Sequence, residues 1–280
     1  ANQGTGKDAL YKNTGSGFVD IANSLGLEGG PRERSDGGVD CTVGDFNNDG
    51  YLDLFVATYG FNKLYQNDGA GGFNEVSNMM GISGNDHMVG ASWGDFNNDG
   101  HLDLFVAGYH DDDGVRSPHD RFFQNLGSKF KELDVDKTVL NGGDHGVQWA
   151  DFDADGDLDL SLTEGYNIAG RHPLIRNDLP ESARFQSLYV NVTDAEGVAN
   201  RAGAEIRIYD VRDQLLGLRM VSTGDGYNSH SNQAVHFGLP GQELVIIEAT
   251  FLTAEGRKTQ RYENVRPADY FGEFITIRQE

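Results

Sequence analysis

Asp95-Phe-Asn97-Asn-Asp99-Gly-His101-Leu-Asp103, with Val89-Gly-Ala-Ser-Trp93 before it and Leu104-Phe-Val-Ala107 after it, is the stretch on which the fold turns. Side-chain oxygens stand at positions 1, 3, 5 and 9, and glycine stands at position 6. The same nonapeptide occurs earlier as Asp45-Phe-Asn47-Asn-Asp49-Gly-Tyr51-Leu-Asp53 and later as Asp151-Phe-Asp153-Ala-Asp155-Gly-Asp157-Leu-Asp159. Alternate residues of a tight loop point inward, and Ca²⁺ takes six to eight oxygens in a flexible cage. Gly50, Gly100 and Gly156 permit the positive φ that turns the loop back, so the carbonyls of Tyr51, His101 and Asp157 join the shell. Asp53, Asp103 and Asp159 add a carboxylate from the outgoing strand. The expected cofactor is therefore about three Ca²⁺ per chain. A solvated turn also uses Asp, Asn and Gly, but three copies at one ligand spacing argue against that reading. An EF-hand needs a Glu at position 12 and helical flanks. Here the flanks alternate as strands.

Composition narrows the function classes. The 280 residues suffice for one large all-β domain or two smaller ones. With 44 acidic and 22 basic side chains the net charge is −22, a surface that repels nucleic acid and anionic membranes. No run of 18 apolar residues is present, so no membrane insertion is expected. Cys41 is the single cysteine, which excludes an intrachain disulfide; its strand context predicts a small buried hydrophobe. Weak calcium sites suit calcium-rich compartments, and numbering from Ala1 suits removal of a signal peptide. A secreted or periplasmic location is the expectation.

The repeat is longer than its loop. After each loop comes an apolar strand, then an aromatic-Asn strand, then a short Phe-containing strand. Leu64-Tyr-Gln-Asn67 with Gly72-Phe-Asn-Glu-Val76 matches Phe122-Phe-Gln-Asn125 with Lys129-Phe-Lys-Glu-Leu133. Leu10-Tyr-Lys-Asn13 with Gly17-Phe-Val-Asp-Ile21 is the same pair with no loop ahead of it. The loops begin 50 and then 56 residues apart, a spacing that accommodates the four strands of a propeller blade. These segments, roughly residues 8–178, resemble the FG-GAP/VCBS calcium-binding repeats of integrin α-subunit propellers and of many secreted bacterial proteins. The resemblance implies blades stiffened by calcium.

From about Ser187 the metal loops stop. Asn200-Arg-Ala-Gly-Ala204, Ser222-Thr-Gly-Asp-Gly-Tyr227 and His236-Phe-Gly-Leu239 resemble the ASPIC/UnbV domain, which accompanies such repeats in the cartilage acidic protein 1 family. The chain has Phe251-Leu-Thr-Ala-Glu-Gly256 where those relatives carry a Trp-Pro-x-Gly turn. The expected fold is all-β, with propeller-type blades over 1–180 and a β-rich domain over 187–280, either sandwich-like or further blades. Three blades and a half-blade do not close a ring. Closure would come from the C-terminal region, from another chain in an oligomer, or from residues outside this sequence.

The connections away from the metal loops collect five of the eight histidines, with Arg32, Arg34, Asp111, Asp112, Asp113, Tyr166 and Arg171. Asp86-His87 and Asp144-His145 precede consecutive blades by nearly the same interval. If these two pairs converge, they offer general acid/base chemistry or a transition-metal site; solvated loop residues are the plainer reading. Trp93 and Trp149 sit at matching strand positions and read as core. No Ser-His-Asp order, phosphate loop or His-Glu-x-x-His is present. Two function classes follow. One is an interaction module for a protein or glycan; the other is a lyase, dehydratase or cyclase-type enzyme on a carbohydrate or small metabolite, using His87, Asp86, His145 and Asp144.

Overall fold

The computed structural model describes residues 6–29, 36–82, 84, 87–108, 119–136, 140, 143–164, 172–198, 201–224, 226–227, 229 and 234–280. The chain opens with a hairpin, β1 (Tyr11–Asn13) and β2 (Phe18–Asp20), whose faces are exposed. Two four-stranded antiparallel sheets follow. The first holds β3 (Gly38–Gly44), β4 (Asp53–Thr58), β5 (Lys63–Asn67) and β6 (Phe73–Glu75). The second holds β7 (Met88–Gly94), β8 (Asp103–Gly108), β9 (Arg121–Asn125) and β10 (Phe130–Glu132). A third sheet has β11 (Asp144–Ala150), β12 (Asp159–Glu164) and β13 (Leu174–Ile175). These are propeller-type blades in strict chain order.

Each nonapeptide is the hairpin connection between the first and second strands of its blade. The pairs Gly44↔Asp53, Gly94↔Asp103 and Ala150↔Asp159 close the three ladders at the same register. The first strands β3, β7 and β11 lie side by side, β7 touching both neighbours. Apolar faces fill the seams: Phe55, Leu64, Met88, Leu104 and Phe123 share one core, and Phe105, Val147, Leu160 and Leu162 share the next. Trp93 and Trp149 pack in these seams, as expected; the Phe46 ring stacks on Trp93 at 6.3 Å, and the Phe122 ring lies 5.6 Å from Trp149.

The remaining strands are β14 (Ser187–Thr193), β15 (Glu205–Tyr209), β16 (Leu215–Met220), β17 (Val235–Gly238), β18 (Val245–Thr253), β19 (Gly256–Val265) and β20 (Phe274–Arg278). They form two sheets, β17-β14-β20 and β16-β15-β18-β19. Leu188, Val190, Phe237 and Ile277 of one share a core with Ile206, Ile208, Ile247 and Phe251 of the other. The two sheets bury facing apolar sides, the packing of a sandwich. Among the described residues, helix is confined to one-turn segments such as Ser77–Met80 and Glu181–Arg184. One expectation is corrected: Cys41 is exposed, because strand alternation turns Thr42 and Gly44 inward and leaves Cys41 and Val43 outward.

Candidate metal centres

Within each nonapeptide the first and last aspartates are held by the backbone. Asp45 accepts the Asp49 and Gly50 N–H groups at 3.0 Å. Asp95 accepts the same two donors of its loop at 3.0 and 2.9 Å, and Asp151 accepts its pair at 3.1 and 3.0 Å. The glycine that supplies the second donor has φ of 88° to 92° in all three loops, a conformation strained for any side-chain-bearing residue. At position 9, Asp53 accepts Asn67 N–H at 2.8 Å and Phe46 N–H at 3.2 Å. Asp159 accepts Asn177 N–H at 2.8 Å and Phe152 N–H at 3.0 Å. Asp103 accepts Asn125 N–H at 2.7 Å, and its Oδ2 is buried without a hydrogen bond of that quality.

These buried carboxylates are only partly compensated, Arg219 being the cation that acts on Asp45 and Asp95. Burial, with repulsion from neighbouring carboxylates added, pushes Asp45 up to about 6 and Asp53 and Asp95 up to about 7. Asp103 is raised well above the ordinary carboxylate value for the same reason. In the third loop, burial raises Asp151 and Asp159, and Asp157 to about 6. Carboxyl oxygens of Asp151, Asp153 and Asp159 converge within 4.8 Å of one another. Clustered, desolvated, oxygen-only donors fit a hard divalent cation. The position-3 and position-5 groups stand beside one another: Asn47 Nδ2 donates to Asp49 at 2.8 Å and Asn97 Nδ2 to Asp99 at 2.9 Å.

Two asparagine series that sequence reading left without a role tie the loops together. Asn48 and Asn98, at position 4, adopt φ of 56° and 57°. Each then donates to the position-6 carbonyl of the next loop, Gly100 and Gly156, at 3.0 Å. Asn125 and Asn177, each after or at the end of the aromatic strand, reach backward instead. They donate to the Phe46 and Phe96 carbonyls of the preceding loop at 2.7 and 2.6 Å, and also to Leu102 and Leu158 of their own blade. The three loops are thus one hydrogen-bonded chain. The signal was present in the sequence as the repeated Asn, but its partners lie about 50 to 80 residues away.

The sandwich sits on the loop end of the blades. Gly238 N–H donates to Asp95 at 3.0 Å, Arg207 donates to the Gly50 carbonyl at 3.3 Å, and Tyr189 hydroxyl donates to the Asp157 carbonyl at 3.3 Å. Arg184 pairs with Asp155 at 2.6 Å. Arg219 of β16 is buried, lies 5.0 Å over the Phe237 ring, and places its charge in the field of Asp95, Asp45 and Asp103. Sequence reading missed it; the one signal was a lone arginine in the apolar run Leu215-Leu-Gly-Leu-Arg-Met220.

The histidine candidates fare differently. Asp86 lies outside the described residues, as do His110, Asp111, Asp112 and Asp113, and so does the side chain of Asp144. His87 precedes β7 and packs edge-on against Tyr59, with ring centroids 3.9 Å apart. His145 lies inside β11, at the bulge occupied by Val39 in β3 and Val89 in β7. The two His positions are therefore not equivalent, which corrects the matching interval read from sequence. His145 is buried, its ring 5.8 Å from Tyr227, and burial lowers its pKa.

Comparison with known proteins bears on the repeats. The FG-GAP-like repeat family matches residues 45–106 and 95–161. Cartilage acidic protein 1 of Xenopus tropicalis is 27% identical over 259 residues, covering 88% of this chain and 38% of that protein. A solved Agrocybe aegerita lectin, described as recognising non-reducing terminal N-acetylglucosamine, aligns over 93% of this chain and 76% of its own at 15% identity, with a TM-score of 0.35. Residues 45–161 match the FG-GAP-like repeat family and fold as propeller-type blades.

Proposed function

We propose that this chain is a secreted or periplasmic ligand-binding or interaction module whose blades are stiffened by Ca²⁺. The observation that carries the calcium reading is the repeated cradle: in every loop the position-1 and position-9 carboxylates are fixed by backbone N–H groups and left short of positive charge. Asp45, Asn47, Asp49 and Asp53 would hold one ion; Asp95, Asn97, Asp99 and Asp103 a second; Asp151, Asp153, Asp155 and Asp159 a third. The carbonyls of Tyr51, His101 and Asp157 complete the sets. The ion supplies charge neutralisation, and its binding to the folded state alone stabilises that state. The region from Ser187 onward is assigned to an ASPIC/UnbV-like domain on its sequence resemblance. A protein or glycan ligand would meet the blade ends away from the loops, because the sandwich already occupies the loop end.

Metal analysis by mass spectrometry before and after EDTA dialysis, paired with thermal melts, tests this reading. About three calcium per chain and a lower Tm in EDTA are expected. Absence of calcium from protein purified in calcium buffer, with an unchanged melt in EDTA, would refute it.

A further inference from the structure

A cavity of about 120 Å³ lies where the first strands of the three blades meet β16 and β17 of the sandwich. Its walls include the two indoles, Trp93 and Trp149, together with Ser92, Asp95, Arg219 and His236. At about 30 Å³ per water in the liquid, it has room for about four water-sized groups. Buried polar groups in proteins are normally bonded, yet the lining residues leave four buried nitrogens without partners: Trp93 Nε1, Arg219 Nε, and both ring nitrogens of His236. Arg219 and His236 are each more than nine-tenths buried.

The unused groups have a definite chemistry. Trp93 Nε1 and Arg219 Nε are donors only, and the arginine brings a positive charge. Burial, reinforced by the Arg219 charge, lowers His236 to about 3; its ring is neutral and offers one N–H donor and one acceptor lone pair. Asp95 does not add a free acceptor of the same kind, because its oxygens already take the N–H groups of Asp99, Gly100 and Gly238. Two donors with a cation suit a carboxylate. A group that both gives and takes a hydrogen bond suits a hydroxyl beside it. The indole walls suit a short carbon skeleton.

We propose that this cavity is a binding site for a short hydroxycarboxylate, its carboxylate on Arg219 and Trp93 and its hydroxyl on His236. The site borders the second metal loop through Asp95, which lines the cavity, and its three binding groups lie outside the loops' ligand sets.

Trp93 and Trp149 are the chain's only tryptophans, so intrinsic emission reports the cavity without labels. Glycolate and lactate should change emission saturably in the calcium-buffered full chain, and acetamide should not. His236→Phe keeps the ring against Tyr189, 4.8 Å away, and should weaken glycolate binding at least tenfold while the melt stays cooperative. Arg219→Lys should weaken it similarly. If either variant does not fold, a crystal structure of the wild-type protein with glycolate decides, with ligand density expected between Arg219 and His236. No saturable response to glycolate, an equal response to acetamide, an unchanged affinity in folded His236→Phe, or only water in the cavity of that crystal would each overturn the proposal.

Discussion

Replacing Asn125 by alanine isolates the contact that joins one blade to the loop before it. The side chain is fully buried. It donates to the Phe46 carbonyl at 2.7 Å and the Leu102 carbonyl at 3.0 Å, and accepts the Gly127 N–H at 2.9 Å. A typical bond contributes about 1 kcal/mol, and a buried group left unsatisfied costs about 1–3 kcal/mol. Losing this set should therefore destabilise the protein by about 3–4 kcal/mol. Asn67 is the internal control. It makes the own-blade bond to the Leu52 carbonyl at 3.2 Å and accepts the Gly69 N–H at 3.0 Å, in a more exposed setting, so Asn67→Ala should cost about 1 kcal/mol. Urea unfolding of both variants in calcium buffer, read as midpoints at unchanged m-value, measures the gap. Equal midpoint shifts for the two variants would refute the claim that the inter-blade bond carries the larger share.

Other consequences follow from the same geometry. The folded pKa values of Asp45, Asp53 and Asp95, about 6 to 7, lie above the ordinary value of 3.8. Their contribution is thus fully present below that value and lost as pH rises through the folded pKa values. In EDTA the Tm should accordingly fall between about pH 5 and about pH 8, and a Tm that climbs over that window would contradict the burial argument. Arg184→Gln frees Asp155 from a partly exposed ion pair; calorimetric titration should show calcium binding at the third loop tightened by a few-fold, not weakened. Gly238→Ala would drive a Cβ onto Asp95 Oδ2 and to 2.6 Å from the Asn98 backbone. Loss of sandwich docking, seen as faster limited proteolysis between residues 178 and 187 together with a lower Tm, is the expected outcome.

The repeated hairpin loops were legible because their information is local: the spacing of the oxygen side chains, the glycine at position 6 and the flanking alternation all lie within one stretch. The blade boundaries were legible for the same reason. The staples were not, since Asn48 and Asn98 acquire meaning only when the next loop's glycine carbonyl stands beside them. Position 4 shows this in its exception. Ala154 shares the positive φ, at 58°, but has no amide side chain and no fourth nonapeptide to reach. Phe46 is buried against Trp93, whereas Phe152 at the same loop position is 45% exposed. Sequence alone gives these residues equal standing; their place in the row does not. His145 stands at the bulge position that Val39 and Val89 hold in the earlier blades, two residues nearer its loop than His87 is to the loop that follows it.

The placement of the sandwich changes what the metal loops are for. Had those loops faced solvent, a cation there could have been shared with an external acidic ligand. Instead Gly238 N–H, Arg207, Arg184 and Tyr189 reach the loops from the C-terminal strands and the turn before them, while Ser229 accepts the Val147 N–H of β11 at 3.0 Å. That bond matches the one Asp40 of the first blade makes with Ala91 N–H at 3.0 Å in β7. The C-terminal region therefore supplies, beside the third blade, a contact that a neighbouring blade supplies elsewhere. The loops act as internal joints between repeats and sandwich. On the calcium reading proposed above, an ion at such joints would help decide whether the two parts hold together, and with them the cavity at their junction.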